Sequence, residues 1–530
     1  MKSYKYYILA AGFASMLSGC TDLDVPVNSQ YTEFPNTEVA LEGVLSGVYF
    51  HARDVIGRRW MEAQGLSSDE WVGISFGGDY YDSGTYAHMC LHNFSPDDAS
   101  IDWYEKFTEG IASANNAIAL VGGNSAKAAA SPRAIRAFFH WAIMDSYGDI
   151  AILNGSENKT ETVRSPRPEV AQFIADELEA VIPDLTTEVT EGTYGKPTRW
   201  MAEALLAKLY INWPVYTAES VDKYDAANYQ NPKLSRVIEL CDDIIKAGKF
   251  DLSDPYLEKF YPNNGYKIKD FIYAMPYDAI NQKGLQYGRP RAWRKANTGT
   301  SYFGTTLSKS CGGNFSITPE MSDLLMSLSQ DDRQGHVLAG KIYMFDPVTY
   351  KKTNEPWIYK DAEVVLSKDI KLVEENEKLD VGNTTEGYCQ GYKSVKWFII
   401  DDDFKNDRNQ SNDVPIFRYA DIILMKAEAL VRSGKAGEAK ELFNQIRSYV
   451  HAPLLENNPT LDDIYAERGR EFFDENWRRN DMIRFGHFED EYGFHKKSFP
   501  TANFDKSHRI FPIPTSVLNK NITWKQNPGY

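Results

Sequence analysis

The stretch PIFRYADIILMKAEALVRSGKAGEAKELFNQIR, residues 415–447, decides the fold class. Ile422, Ile423, Met425, Leu430 and Val431 recur at helical spacing, and Gly434 ends the run. Ala439, Leu442, Phe443 and Ile446 then stripe a second helix. Small Ala427 and Ala429 let the two helices approach closely. Ala427, Leu430, Gly434, Ala439 and Phe443 fall at the spacing of a tetratricopeptide (TPR) unit, from which bulky Lys426 and Ile446 depart. One such hairpin cannot bury its apolar face alone, so other helices must pack on it.

Working outward, the same periodicity predicts helices over Glu38 to about Arg53, from about Ile101 to Gly122, and over Arg133–Tyr147 behind Pro132. Further helices are expected over Pro168–Leu185, Thr198–Asn212 and Ser235–Lys246. From about 250 to 412 Gly, Asn, Pro, Asp and aromatic residues dominate, with strand-like Phe271–Met275 and Lys396–Ile400 and one helix, Pro319–Leu328. Beyond the hairpin, the segment from Tyr465 to Gly486 reads as one charged helix with Phe473 and Trp477 on its apolar side. The expected architecture is mainly α. A TPR-like scaffold of helical pairs spans about 36–249 and 413–486, and a loop-rich lobe with short strands spans about 250–412.

Residues 1–20 have the form of a secretory leader: Lys2 and Lys5, an apolar run from Tyr6 to Leu17 too short to span a bilayer, then Leu17-Ser-Gly-Cys20. Small residues before a cysteine at that point are the pattern of a lipidated Cys20, which makes lipid the expected anchor. Residues 21–35, with Pro26 and Pro35, form a polar tether. The net charge of −16, two charges more negative once the leader with its lysines is removed, argues against nucleic acid as a ligand. Cys90, Cys241, Cys311 and Cys389 are widely spaced; they form no metal or redox pair, and three disulfide pairings stay open.

Catalytic signals are weak. Gly73-Ile-Ser-Phe-Gly77 matches G-x-S-x-G, but a flexible acidic loop follows where a nucleophile elbow requires a helix. Glu467, Glu471, Glu475 and Asp481 lie among arginines that would keep them ionised, which suits ion pairing and not a general acid. His88 and His92 lack a partner motif for zinc, and Asp401-Asp-Asp-Phe-Lys-Asn-Asp407 lacks the glycine and terminal glutamate of a calcium loop. No phosphate-cradling glycine loop occurs, and no cofactor is expected.

Three motifs in order carry a resemblance: the RYAD…AEAL helix at 418–430, the ER…EF…E…R…D…R.G segment at 467–486, and the PIP…QNPGY tail at 512–530. Together with Ser68-Asp-Glu70 and the FFHWAIMDSYGD stretch ending at Asp149, they resemble the SusD/RagB family of outer-membrane lipoproteins. The resemblance implies a non-enzymatic protein at the cell outer membrane, facing outward. Such a protein captures poly- or oligosaccharide for a SusC-like TonB-dependent transporter. The acidic Thr21-Asp-Leu-Asp24 also resembles a surface-export signal of the family's hosts.

A peptide-capturing relative is the alternative of the same architecture, and a lipid-anchored hydrolase using the acidic loops is the alternative of another class. With 11 Trp and 32 Tyr, rings suited to stacking on sugar faces are abundant. They gather with polar partners in two loop regions: Trp71, Asp79, Tyr80, Tyr81 and Tyr86 in one, Arg291, Trp293 and Tyr302 in the other. Those eight residues are the expected ligand contacts.

Overall fold

The computed structural model describes residues 38–155, 162–291 and 307–530. Cys20 and the tether, and likewise Trp293 and Tyr302, lie outside the described residues. The chain divides into compact units of residues 1–44 and 45–530; of the first, only the start of the Glu38–Tyr49 helix is described. The architecture below belongs to the second.

Its scaffold is a row of helices in which each packs on the next: Tyr104–Leu120, Ala130–Tyr147, Arg167–Val181, Arg199–Ile211 and Leu234–Ala247. The row continues with Tyr419–Arg432, which packs on Leu234–Ala247 and then on Ala436–Tyr449, so the lobe is an insertion between two neighbours of one stack. Close approach depends on small residues. Ala420, Ala427 and Ala429 are fully buried, and a Cβ on Gly110 would stand 2.7 Å from the Phe139 ring of the adjoining helix. Lys426, too large for the repeat position, lies at the edge and pairs with Asp242 of the preceding helix at 2.6 Å. Thr198 caps its helix by accepting from the Met201 N–H at 3.3 Å, and Thr460 caps Leu461–Glu471 through the Asp463 N–H at 3.1 Å.

The lobe leaves and re-enters the stack at one place. Strands Phe271–Met275 and Val414–Arg418 pair antiparallel, with Val414 opposite Met275 and Arg418 opposite Phe271. The expected strand over Lys396–Ile400 does not form. There, side chains take the backbone acceptors that a ladder would use: Gln410 Nε2 donates to the Trp397 and Phe398 carbonyls (3.3 and 3.4 Å). Asn412 Nδ2 reaches the Phe398 carbonyl as well, at 3.4 Å.

The Tyr465–Gly486 segment is likewise not one helix but two, Leu461–Glu471 and Arg478–Phe485. Asp474 and Asn476 adopt left-handed backbone at φ +64° and +72°, which a continuing helix cannot contain. The break turns the charged side chains inward to build a buried ion network. Arg418 meets Asp270 (2.6 Å), Glu471 (2.8 Å) and Glu475 (2.7 Å), while Lys396 meets Glu475 at 2.6 Å. Glu467 takes Arg333, Arg447 and Arg470, and Asp481 takes Arg468 and Arg484. Their pairing is structural.

The terminal motif closes the stack from outside. Asn527 Nδ2 donates to the Tyr147 and Phe511 carbonyls at 2.9 and 2.8 Å, and the Tyr530 hydroxyl donates to the Ile510 carbonyl at 2.6 Å.

The network sets an acid limit on stability. Burial opposes ionisation of Glu467, but Arg333, Arg470 and Arg447 outweigh it and hold the carboxyl down to about 2. Asp270 is likewise held at about 2, burial being overcome by Lys259 and Arg418. Folded-state values below the unfolded value of about 4 mean that this stabilisation is complete above about pH 5 and drains as the pH falls toward 2. Buried His140, pushed down to about 4 chiefly by burial, acts in the same direction below about pH 6.5 because the unfolded chain takes up its proton first. Urea midpoints should therefore fall gently from pH 7 to 5 and steeply by pH 3.5; equal midpoints at pH 7 and 3.5 would contradict the assignment.

Candidate functional site

The first loop region comes up against Arg291, whose guanidinium lies 5.2 Å from the Trp71 ring centre, and strand Trp71–Gly73 pairs antiparallel with Phe315–Ile317, Trp71 opposite Ile317 and Gly73 opposite Phe315. The Cys90 sulfur, pushed up to about 12 by burial and so kept as a thiol, accepts from the Gly73 N–H at 3.1 Å. The pairing continues one residue further, Ile74 N–H to the Asn314 carbonyl at 2.8 Å. The chain then enters a tight reversal in which Phe76 and Asp79 exchange backbone hydrogen bonds of 2.9 and 3.3 Å.

Gly77 and Gly78 both have positive φ (+64° and +85°), the requirement of a turn that matches strand twist. Asp380 clamps this turn: its carboxylate accepts from the N–H groups of Gly77 (2.8 Å), Gly78 (2.6 Å) and Gly382 (2.7 Å). Tyr80, Asp82 and Ser83 follow, also at positive φ (+67°, +45° and +58°). Non-glycine residues so placed cost roughly 1–3 kcal/mol each and persist where the surroundings over-determine them, typically at functional loops. The result is a fixed platform. Asp79 is exposed on it, and Tyr80 and Tyr81 are half-buried. The Tyr80 ring stands edge-on to Phe76 at 6.4 Å and its hydroxyl donates to the Cys311 carbonyl at 3.3 Å.

Three residues expected to face a ligand lie beneath this platform instead. Trp71 is 1% exposed and packs at 5.1 Å from Phe473 and 6.1 Å from Phe315. Tyr86, 7% exposed, stands edge-on to Phe315 at 5.7 Å. Arg291, 1% exposed, puts Nε on both carboxylate oxygens of Asp474 (2.6 and 2.8 Å), with its guanidinium 3.2 Å from the Tyr287 ring centre. The long-range strand pairing brings Trp71 onto Phe473 and Arg291 onto Asp474 of the 472–477 break, and Tyr86 onto Phe315 of the partner strand. Of the eight expected contacts, Asp79, Tyr80 and Tyr81 share one accessible loop.

The other candidates take structural places. Ser75 is buried and donates to the Lys378 carbonyl at 2.8 Å. His88 and His92 sit on and after a short helix, Ala87–Cys90, and separate, His88 to Asp98 at 2.8 Å and His92 to the Tyr492 hydroxyl at 2.9 Å. Asp401 receives the Ser308 N–H (2.6 Å), Asp402 pairs with Lys405 (2.9 Å) and Asp403 receives the Ser411 N–H (3.0 Å). Ser68-Asp-Glu70 ties this region to the C-terminal motif. Asp69 takes Arg478 through both oxygens at 2.7 and 2.8 Å, and Glu70, its carboxyl pushed well above the usual carboxylate range by burial and then by Asp474, accepts from the Asp474 N–H at 3.0 Å. Sequence reasoning missed Arg289 and Arg408, which border the platform; the alternation of Arg289 outward and Arg291 inward across Pro290 has no local signal.

Fold and site together define a helical-stack protein that presents an irregular, loop-built face. The model of the SusD family matches residues 269–530. The starch-binding protein SusD of Bacteroides thetaiotaomicron is 24% identical over 423 residues, 75% of this chain and 72% of that one. A SusD-like protein of Formosa agariphila is 32% identical over 131 residues, 22% of this chain and 25% of that one. Among solved structures, a laminarin-binding SusD-like protein superposes with a TM-score of 0.69 at 18% identity, covering 93% of this chain and all of the other. Surface glycan-binding protein A of B. thetaiotaomicron, in complex with laminarihexaose, gives 0.67 at 17% identity, over 92% of this chain and 99% of the other. Over residues 269–530 the chain belongs to the SusD family.

Proposed function

We propose that this protein is a lipid-anchored outer-membrane lipoprotein that captures poly- or oligosaccharide at the cell surface and delivers it to a partner SusC-like TonB-dependent transporter. No bond is broken in this role. Similar proteins bear the names starch-binding and laminarin-binding, which favours a glycan over a peptide. The observation that carries the reading is the clamped, left-handed loop from Gly77 to Gly84, holding Tyr80 and Tyr81 half-exposed beside Asp79. Preformed rings offer stacking area at little ordering cost, and a fixed carboxylate accepts from sugar hydroxyls. Trp293 and Tyr302 stay candidate contacts. Lipidation at Cys20 would provide the anchor, since among the described residues no helix is long and apolar enough to cross a membrane. The helical stack is the surface offered to the transporter.

The double variant Tyr80→Ala/Tyr81→Ala should stay folded, its melting temperature lowered only modestly by the lost Tyr80–Cys311 hydrogen bond. By calorimetry it should lose about 1–3 kcal/mol of glycan affinity per stacking ring, taking base stacking as the nearest analogue. A ligand found in a panel including laminarihexaose and maltohexaose, and bound equally well by the variant, would move the site elsewhere.

A further inference from the structure

Along residues 310–313 three features meet in order. Arg408 donates to the Ser310 carbonyl (2.9 Å) and hydroxyl (3.3 Å), Tyr80 donates to the Cys311 carbonyl (3.3 Å), and the Gly313 N–H donates to the Arg289 carbonyl (3.2 Å). The segment is tight: a Cβ on Gly312 would stand 3.3 Å from the Tyr80 ring and 3.5 Å from Pro290 Cα. Arg58 approaches from the other side, its Nη1 on Gln286 Oε1 at 3.3 Å, and Gln286 Nε2 in turn donates to the Asp407 carbonyl at 3.0 Å. Arg58, Arg289 and Arg408 are thus gathered at the Tyr80 platform, each half-buried.

Two of the three, Arg289 and Arg408, have no carboxylate partner among the described residues. Among the described residues Arg289 has no side-chain hydrogen bond or ion pair. Its neighbours are Arg58 and Arg408 together with the Tyr80 and Tyr86 phenols, and burial followed by the two guanidiniums pulls it below the ordinary arginine value. Arg58 has Glu62 at 3.3 Å, but that carboxylate also serves Arg59 at 2.9 Å. Among the described residues Arg408 donates only to neutral oxygens of Ser310. A half-buried, unpaired guanidinium beside two others is costly unless an anion completes it.

We propose that Arg289, flanked by Arg58 and Arg408, is an anion subsite at the edge of the Tyr80–Tyr81 platform, and that the captured glycan is acidic, carrying carboxylate or sulfate groups. This rests on the glycan-capture reading above. The planar guanidinium matches either anion through paired N–H donors. The surrounding negative net charge of −16 means that recognition is local, not a long-range attraction.

The test is calorimetry on the mature protein with matched probes: hexagalacturonate against its methyl ester, and sulfated laminarihexaose against laminarihexaose, which is also the neutral reference. One acidic probe should bind about 10- to 100-fold more tightly than its neutral counterpart, as expected for a charge-assisted contact, and the advantage should shrink as salt rises. The galacturonate and laminarihexaose pairs separate carboxylate from sulfate. In Arg289→Gln the acidic-to-neutral affinity ratio should fall toward one with the melting temperature unchanged, because among the described residues no hydrogen bond or ion pair uses that guanidinium. Neutral probes bound as tightly as acidic ones, acidic probes not bound at all, or a ratio untouched in Arg289→Gln would each overturn the proposal. The underlying reading fails separately: a glycan whose affinity drops in Tyr80→Ala/Tyr81→Ala but shows no acidic preference leaves glycan capture standing and removes the anion subsite alone.

Discussion

Arg418→Ala should destabilise the protein by about 3–5 kcal/mol or prevent its accumulation as folded protein, the usual consequence of removing one partner from a buried ion cluster. The side chain is 1% exposed and ends the strand that seals the base of the lobe. Its guanidinium neutralises Asp270, Glu471 and Glu475 at 2.6–2.8 Å and also donates to the Glu471 carbonyl at 3.0 Å. Without it, Lys259 and Lys396 are left to offset three buried carboxylates, with the more distant Arg333 on Glu471. Arg418→Met tests charge against volume: it restores bulk but not the fork, and should be nearly as damaging as Ala. Urea unfolding at pH 7 is the measurement, and a loss below about 1 kcal/mol would show that the cluster contributes little net stability.

Trp477→Ala should cost about 3–5 kcal/mol through cavity formation in the centre of the molecule, with no direct effect on ligand contacts. Trp477 is 3% exposed, stacked on Phe417 at 5.7 Å and 21°, and tilted against Trp141 at 5.8 Å. The Lys208 ammonium lies 4.1 Å from its ring centre. Burial brings Lys208 down to about 8, and Asp421 at 2.7 Å favours the charged form. Loss of the ring therefore removes packing from three elements and a cation–π partner from an already desolvated charge. Differential scanning calorimetry should show the drop. A variant with unchanged melting temperature and abolished glycan binding would mean that the ring belongs to the ligand site.

Helices of the stack were legible from local pattern alone. Ile422, Leu430, Ala439 and Phe443 are buried as their spacing predicts, because a helix satisfies its own backbone and leaves one face to be covered. The strand at Phe271–Met275 and the structural role of the Glu–Arg motif were readable for a similar reason: continuous apolar residues need cover, and dense opposite charges need each other. The aromatic loop at 79–81 was readable as a candidate surface because nothing periodic explains its rings.

Only the tertiary structure decided which side chains face out. Trp71 and Ile317 pair across nearly 250 residues of chain, and that register sends Trp71, Tyr86 and Arg291 inward while leaving Tyr80, Tyr81 and Arg289 at the face. The break at Asp474 and Asn476 is equally non-local, since Glu70 and Arg291 hold Asp474 in a backbone conformation that its own neighbours would not choose. Periodicity reports whether a segment has a face to bury. It carries no information on pairing between distant segments, and in a lobe without periodicity that pairing determines whether an arginine is interior or available to a ligand.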